Sequence, residues 1–118
     1  MSPTELKERT KMFALRVIRV VNSLPQNRTA DVVGKQLLRC GTSVGANYRA
    51  ACRARSTADF VSKMGIVLEE TDEAAYWMEL LVDAGLVRGG RMADLHDEAC
   101  QLVAIIVSSI NTAKHRRS

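Results

Sequence analysis

Residues 36–60, QLLRCGTSVGANYRAACRARSTADF, join small residues at helical spacing to a run of arginines and then to a helix start signal. Small residues at the centre of the segment let another helix approach its backbone closely; they are Gly41, Gly45 and Ala46. The segment ends in three permanent cations, Arg49, Arg53 and Arg55. It therefore predicts a helix that both packs closely against a neighbour and presents a charged surface.

Composition indicates a single all-α domain. The chain has 118 residues and a mass of 13.0 kDa, which is enough for one core and too little for two. Hydrophobic residues make up 47% of it but aromatic residues only 4%, so the apolar content is mostly aliphatic, as in helices packed on helices. We expect residues 1–118 to form one domain.

Apolar periodicity and helix signals predict four helices, at about 3–23, 30–54, 57–84 and 92–114. Ser2 and Glu5 have the spacing of a capping box, and Thr29 is the candidate N-cap of the second helix. Ser56 begins the third helix, and Gly85 follows its last residues. Because the connections are short, sequential helices should lie antiparallel in an up-and-down four-helix bundle.

The glycines of the second helix have two possible explanations. Gly34, Gly41 and Gly45 each weaken an isolated helix by about 1 kcal/mol relative to alanine. They could serve a close helix crossing inside the bundle, or a backbone surface that a partner or ligand approaches.

The last two helices carry more apolar residues than one bundle interior can bury, which predicts a subunit interface. The alternative is a broad core in which every helix is mostly buried. The candidate interface residues are Glu69, Glu73, Tyr76, Trp77, Leu80, Val103, Val107 and Ile110.

Charge is divided between the two halves of the chain. Residues 1–65 hold twelve Lys and Arg against four Asp and Glu, a net charge of +8, and residues 66–118 hold five against nine, a net charge of −4. Complementary faces favour a head-to-tail contact between copies, which can close into a ring.

A basic surface permits RNA binding through phosphates. The candidates are Lys7, Lys11, Arg16, Arg19, Arg49, Arg53 and Arg55, with Tyr48 as a possible stacking group. The alternative is a solvated face with intersubunit salt bridges, which would make the protein a purely structural oligomer.

No pattern of a catalytic or metal site stands out, so we expect no enzyme, no metal and no cofactor. The alternative is a site built from Glu69, Glu73 and His96. The longest apolar run, residues 102–107, is too short for a membrane span. Three cysteines without a metal-binding spacing, and no export signal at the N-terminus, favour a reduced, cytoplasmic protein.

A family resemblance covers nearly the whole chain. Leu24-Pro25, Ser43-Val44 followed by Asn47, the Arg55-Ser56 junction and residues 70–80 resemble the small bacterial four-helix bundle proteins first associated with intervening sequences in 23S ribosomal RNA genes. Many members have Glu-Gly shortly after the asparagine that matches Asn47. This chain is more basic there, so any role of that acid cannot be transferred.

The resemblance implies a homopentameric ring with no known enzymatic activity and a link to RNA. A related branch of similar fold serves as the accessory protein of diversity-generating retroelements, where a basic pentamer engages a reverse transcriptase and nucleic acid. The hypothesis is therefore a non-enzymatic homo-oligomer, a pentamer by analogy, whose partners are its own copies and RNA or a reverse transcriptase.

Overall fold

A computed structural model describes residues 1–117 of the chain and the side chains of residues 1–116. The described residues form four helices and no strand: α1 (Pro3–Asn22), α2 (Arg28–Cys52), α3 (Thr57–Asp83) and α4 (Gly89–Arg117). The predicted all-α four-helix bundle is confirmed.

α1 and α3 begin at the predicted caps. The Glu5 backbone N–H donates to Ser2 Oγ at 3.1 Å, and the Ser2 N–H donates to Glu5 Oε1 at 3.1 Å, which completes the capping box. These hydrogen bonds lower the pKa of Glu5. In α3, the Asp59 N–H donates to Ser56 Oγ at 3.0 Å. Both helices thus satisfy a backbone donor that has no partner within the helix.

α3 ends in a Schellman motif. Gly85 has a φ of +76°, a conformation that costs glycine little because it has no Cβ. The Leu86 N–H donates to the Leu81 carbonyl at 2.9 Å, and the Gly85 N–H donates to the Val82 carbonyl at 3.0 Å. The predicted glycine stop is confirmed.

α2 and α4 begin earlier than the sequence predicts. Asn27, not Thr29, is the N-cap of α2, because its Oδ1 accepts a hydrogen bond from the Ala30 N–H at 2.8 Å. α4 begins at Gly89 rather than near residue 92. The Met92 side chain is buried, and its backbone N–H already donates to the Arg88 carbonyl at 3.3 Å, so the first turn must form before it.

The helices run up and down around one core, and the molecule measures 49 × 21 × 20 Å along its principal axes. α2 packs most extensively on α3, whereas α1 and α4 touch at few points. In the described part of the chain, the backbones of α1 and α3 do not approach each other closely, nor do those of α2 and α4, so each of these pairs occupies opposite corners. No described helix is long and apolar enough to cross a bilayer.

The core follows the apolar periodicity of α3, a seam of seven residues at steps of three and four from Phe60 to Leu81. Six of the seven residues of that seam are buried, while Phe60 is only partly buried; the buried six are Met64, Val67, Thr71, Ala74, Met78 and Leu81. The prediction missed Thr10, which fills the gap between Leu6 and Phe13 on α1. The Thr10 hydroxyl donates to the Leu6 carbonyl at 2.9 Å, which satisfies a polar group inside the core.

The glycines of α2 serve a close crossing with α1, the first of the two explanations above. A Cβ at Gly41 would lie 2.8 Å from both γ carbons of Val17, and one at Gly45 would lie 3.2 Å from Thr10 Oγ1. Val17 is fully buried and β-branched, so it cannot easily move away. Gly41 therefore sets the distance between α1 and α2.

We expect Gly41→Ala to lower the free energy of unfolding by about 1–3 kcal/mol, because the new methyl group overpacks the core at Val17. The matched control is Gly65→Ala in α3, where no atom lies within 4 Å of the added Cβ. This change should raise stability by about 0.5–1 kcal/mol, since alanine favours a helix. Urea unfolding at one protomer concentration measures both; equal effects of the two variants would contradict the assignment.

Candidate nucleic-acid interface

Five of the seven predicted RNA-binding cations gather at one end of the bundle, where α1 and α3 begin and α2 and α4 end. We call this cluster the basic end; it consists of Lys7, Lys11, Arg49, Arg53 and Arg55. All but Lys7 are exposed, and Lys7 is half-buried. In the described part of the chain, none of the five forms a salt bridge with a carboxylate, so their charge is available to a partner.

The contact between α1 and α2 explains why these residues meet. Gly45 lies against Thr10, and the two helices are antiparallel. Arg49, one turn beyond Gly45, therefore lies level with the first turns of α1, where Lys7 is found. Arg49 also occupies the last turn of α2, where the helix dipole favours a cation. Close helix packing and charge clustering thus have the same origin.

Arg16 and Arg19 are not part of the basic end. Arg19 is twelve residues beyond Lys7, which places it about 18 Å farther along the α1 axis. Arg19 is exposed and Arg16 is half-buried, and neither has an ion-pair partner among the described acids. The structure therefore separates two groups of cations that the sequence had placed on one surface.

An open cleft of about 960 Å³ adjoins the basic end, between the start of α1 and the last turns of α4. Lys7 and Arg116 line it, and Tyr48 and Phe60 contribute apolar surface. Tyr48 is only 4% exposed, and burial raises the pKa of its hydroxyl. The proposed stacking role of Tyr48 is therefore wrong, because its ring belongs to the core.

The predicted interface residues of α3 lie mainly on its outer side. Tyr76 is 52% exposed and packs edge-on against Trp77, with ring centroids 5.2 Å apart. Glu69 is exposed, and Leu80 is half-buried. Glu73 is held within the chain by Arg39 at 3.0 Å. Apolar and acidic surface thus remains on this helix.

On α4 the predicted interface set is divided. Val107 is 38% exposed and Val103 is half-buried. Ile110 is buried in the chain's own core, 9% exposed, because it follows Ile106 by one turn on the core side. It therefore offers little surface to another subunit, and its assignment to a subunit interface stays a prediction.

The residues of the alternative metal or catalytic site do not come together. His96 Nε2 contacts Glu79 Oε2 at 2.8 Å, and Glu73 pairs with Arg39. The one group of three potential ligands in the described chain is Cys40, Glu70 and Glu73. Burial, and after it the charge of Glu73, raises the pKa of the Cys40 thiol to about 12, so the thiolate that a metal needs is disfavoured.

Comparison with known proteins supports the resemblance seen in the sequence. The family model of the 23S rRNA-intervening sequence protein matches residues 4–108. The chain belongs to this family. Its fold is similar to the crystal structure of a protein of unknown function from the S23 ribosomal protein family of Bacteroides thetaiotaomicron. The TM-score is 0.87 at 32% identity, over 94% of this chain and 99% of that chain. No match is found among curated proteins.

Two ion-pair clusters in this member of the 23S rRNA-intervening sequence protein family were missed by the sequence analysis. Arg39 bridges α2 to α3 through Glu70 at 3.2 Å and Glu73 at 3.0 Å. Arg9 joins α1 to α4 through Glu98 at 2.6 Å. The segregation of charge was visible in the sequence, but the choice of partner depends on how the helices are rotated against one another.

We expect the three thiols of this family member to differ in reactivity with Ellman's reagent at pH 8. Cys100 is exposed and should react first, whereas Cys40 is fully buried with a raised pKa and should react only when the bundle opens. Cys100→Ser should remove the fastest phase. Cys40→Ser, the matched control, should leave it unchanged; loss of that phase in Cys40→Ser would contradict the assignment.

Proposed function

We propose that the protein is a non-enzymatic homo-oligomer that binds RNA, or a partner carrying RNA, through the basic end. The ring of five that the family resemblance implies is the assembly we favour. Free, unbridged cysteines are compatible with a cytoplasmic location. The family's connection with 23S rRNA is consistent with RNA as the ligand.

The observation that carries this proposal is the contrast between cations that are paired and cations that are not. Arg9 and Arg39 lie between helices and are neutralised by Glu98, Glu70 and Glu73. The five cations of the basic end form no salt bridge in the described chain, although the charge of Arg55 helps, after Lys63, to lower the pKa of Asp59. Because these five are not needed to neutralise the chain's own acids, they are suited to phosphates.

Assembly would strengthen a weak RNA contact. Phosphate contacts of a few lysines and arginines give a salt-sensitive, sequence-independent affinity. A ring would repeat the basic end once per subunit, and the repeated contacts with one RNA molecule would raise the avidity. The proposed oligomer should therefore bind RNA more tightly than a single subunit does.

We propose no catalytic role, because the candidate acid–base groups are engaged in pairs. Glu73 binds Arg39 and Trp77 Nε1, and His96 contacts Glu79. None of these pairs lies beside the basic end, where we place the ligand. A reverse transcriptase, the partner in the related branch, remains a further candidate for the same surface.

The test is RNA binding at several salt concentrations, with a mixed-sequence single-stranded oligonucleotide as the probe. We expect the affinity of the parent protein to fall steeply with salt. The triple variant Arg49→Ala, Arg53→Ala, Arg55→Ala should bind at least about tenfold more weakly. The slope of log affinity against log salt should decrease by about 2, since each phosphate contact contributes about 0.7 to it.

The matched control removes three arginines from the opposite end: Arg28→Ala, Arg88→Ala, Arg91→Ala. All three are exposed, and the loss of net charge is the same. This control should bind RNA like the parent protein. Equal losses in both triple variants, or binding that does not respond to salt, would contradict the proposal.

Light scattering on the same samples separates RNA binding from assembly. If the arginines of the basic end instead pair with acids of a neighbouring subunit, Arg53→Glu should break the oligomer and leave any RNA affinity unchanged. That result would favour the purely structural oligomer.

A further inference from the structure

α3 has a second heptad-like stripe on the side away from the core. Tyr76 lies two residues from both Ala74 and Met78, which are fully buried, so it points in nearly the opposite direction. Residues at steps of three and four before and after Tyr76 lie on the same side of α3. The α3 outer stripe is Ile66, Glu69, Glu73, Tyr76, Leu80 and Asp83. Ile66 is 45% exposed and Tyr76 is 52% exposed, so the stripe is both apolar and acidic.

α1 has an outer stripe of the opposite charge. Leu15 lies two residues from both Phe13 and Val17, which are fully buried, so it too points away from the core. The α1 outer stripe is Glu8, Met12, Leu15 and Arg19, and Arg16 flanks it on the side where Arg9 faces α4. Met12 is 42% exposed and Leu15 is 37% exposed. Neither arginine has an ion-pair partner in the described chain.

The two outer stripes cannot meet within one chain. α1 and α3 occupy opposite corners of the bundle, and their described backbones do not approach each other closely. Their outer sides therefore face away from one another. A contact between them requires a second copy of the chain.

We infer that the α1 outer stripe of one copy packs on the α3 outer stripe of the next copy. Apolar residues at steps of three and four on both helices suit side-by-side helix packing. Arg16 and Arg19 supply cations for Glu69 and Asp83, neither of which has an ion-pair partner within the described chain. The occupant of each stripe is thus a second copy of this protein.

Contacts between identical stripes are disfavoured by charge. Two α3 outer stripes would bring carboxylates together, and two α1 outer stripes would bring together more arginines than the single acid, Glu8, can neutralise. The contact is therefore heterologous. Each copy uses its α1 outer stripe to contact one neighbour and its α3 outer stripe to contact the other. Repetition of a heterologous contact closes into a ring when the rotation allows it.

The inference gives Arg16 and Arg19 a role separate from RNA binding and leaves the basic end exposed. It rests on the self-association in the proposed function, which it makes specific by naming the surfaces. If the parent protein is monomeric, the proposed assembly and this inference fail together. If the parent protein assembles but its assembly does not depend on these stripes, only this inference fails.

Cysteine cross-linking tests the contact in a Cys52→Ser, Cys100→Ser background. Leu15→Cys and Tyr76→Cys are made singly and together, and a short bismaleimide reagent joins nearby thiols. The double variant should give a ladder of cross-linked species. Either single variant should stay uncross-linked, and a mixture of the two should give dimers at most, because each copy then has one reactive end.

The matched control pairs Tyr76→Cys with Val32→Cys, which is 57% exposed but lies on the outer side of α2. We expect no ladder from this pair. A ladder from the control equal to that of the Leu15 pair, or cross-linked dimers from either single variant alone, would overturn the heterologous contact.

A charge exchange gives an independent readout that does not depend on the position of one thiol. Arg16→Glu, Arg19→Glu is one variant, and Glu69→Lys, Asp83→Lys is the other. Each alone should dissociate while remaining helical by circular dichroism, since all four residues lack intrachain ion pairs. Mixed in equal amounts, the two variants should associate again through alternating copies. Full assembly of either variant alone, or failure of the mixture to associate, would contradict the inference.

Discussion

A four-helix bundle has one interior, and α3 has two sides that favour burial. Its core side is filled by Met64, Val67, Met78 and Leu81, all fully buried. Its other side keeps Ile66 and Tyr76 in solvent. Burial of apolar surface is the main favourable term in both folding and association. The same helix that completes the monomer core is therefore the strongest reason to expect copies of the chain to associate.

The charged residues fall into two groups, those paired between helices and those left on the outer surface. Acids on the sides of α3 and α4 bind Arg39 and Arg9, so these helices are tied to α2 and α1. The remaining cations lie elsewhere, in the α1 outer stripe and at the basic end. Because the close crossing at Gly41 brings α2 against α1, the basic end gathers residues that are far apart in the chain. One arrangement of helices thus produces the two surfaces to which we assign self-association and RNA binding.

The sequence predicted the elements of the fold better than their contacts. Apolar spacing and the signals at Ser2, Ser56 and Gly85 are local, and the structure confirms them. The cap at Asn27 was missed because Thr29 is an equally plausible capping residue and only the chain's path from Pro25 decides between them. The start of α4 was missed because two glycines suggested a loop.

The candidate site depended more on tertiary structure. The sequence showed that the first half of the chain is rich in cations, but it could not show which ones are paired or share a surface. Arg16 was grouped with Lys7 because both lie on α1, although helix rotation and axial distance separate them. Tyr48 was proposed as a stacking group because it lies beside the arginines, and Ile110 was grouped with Val103 and Val107 as apolar residues off the main face of α4. Both are buried, and their burial depends on the other helices.

The central claim is that the apolar and acidic side of α3 is covered by another copy of the chain. Sedimentation velocity of the parent protein at micromolar concentration tests it most directly, because it measures mass without labels or substitutions. The account predicts a species several times the 13.0 kDa mass of one chain. A single species of 13.0 kDa across the concentration range would contradict it.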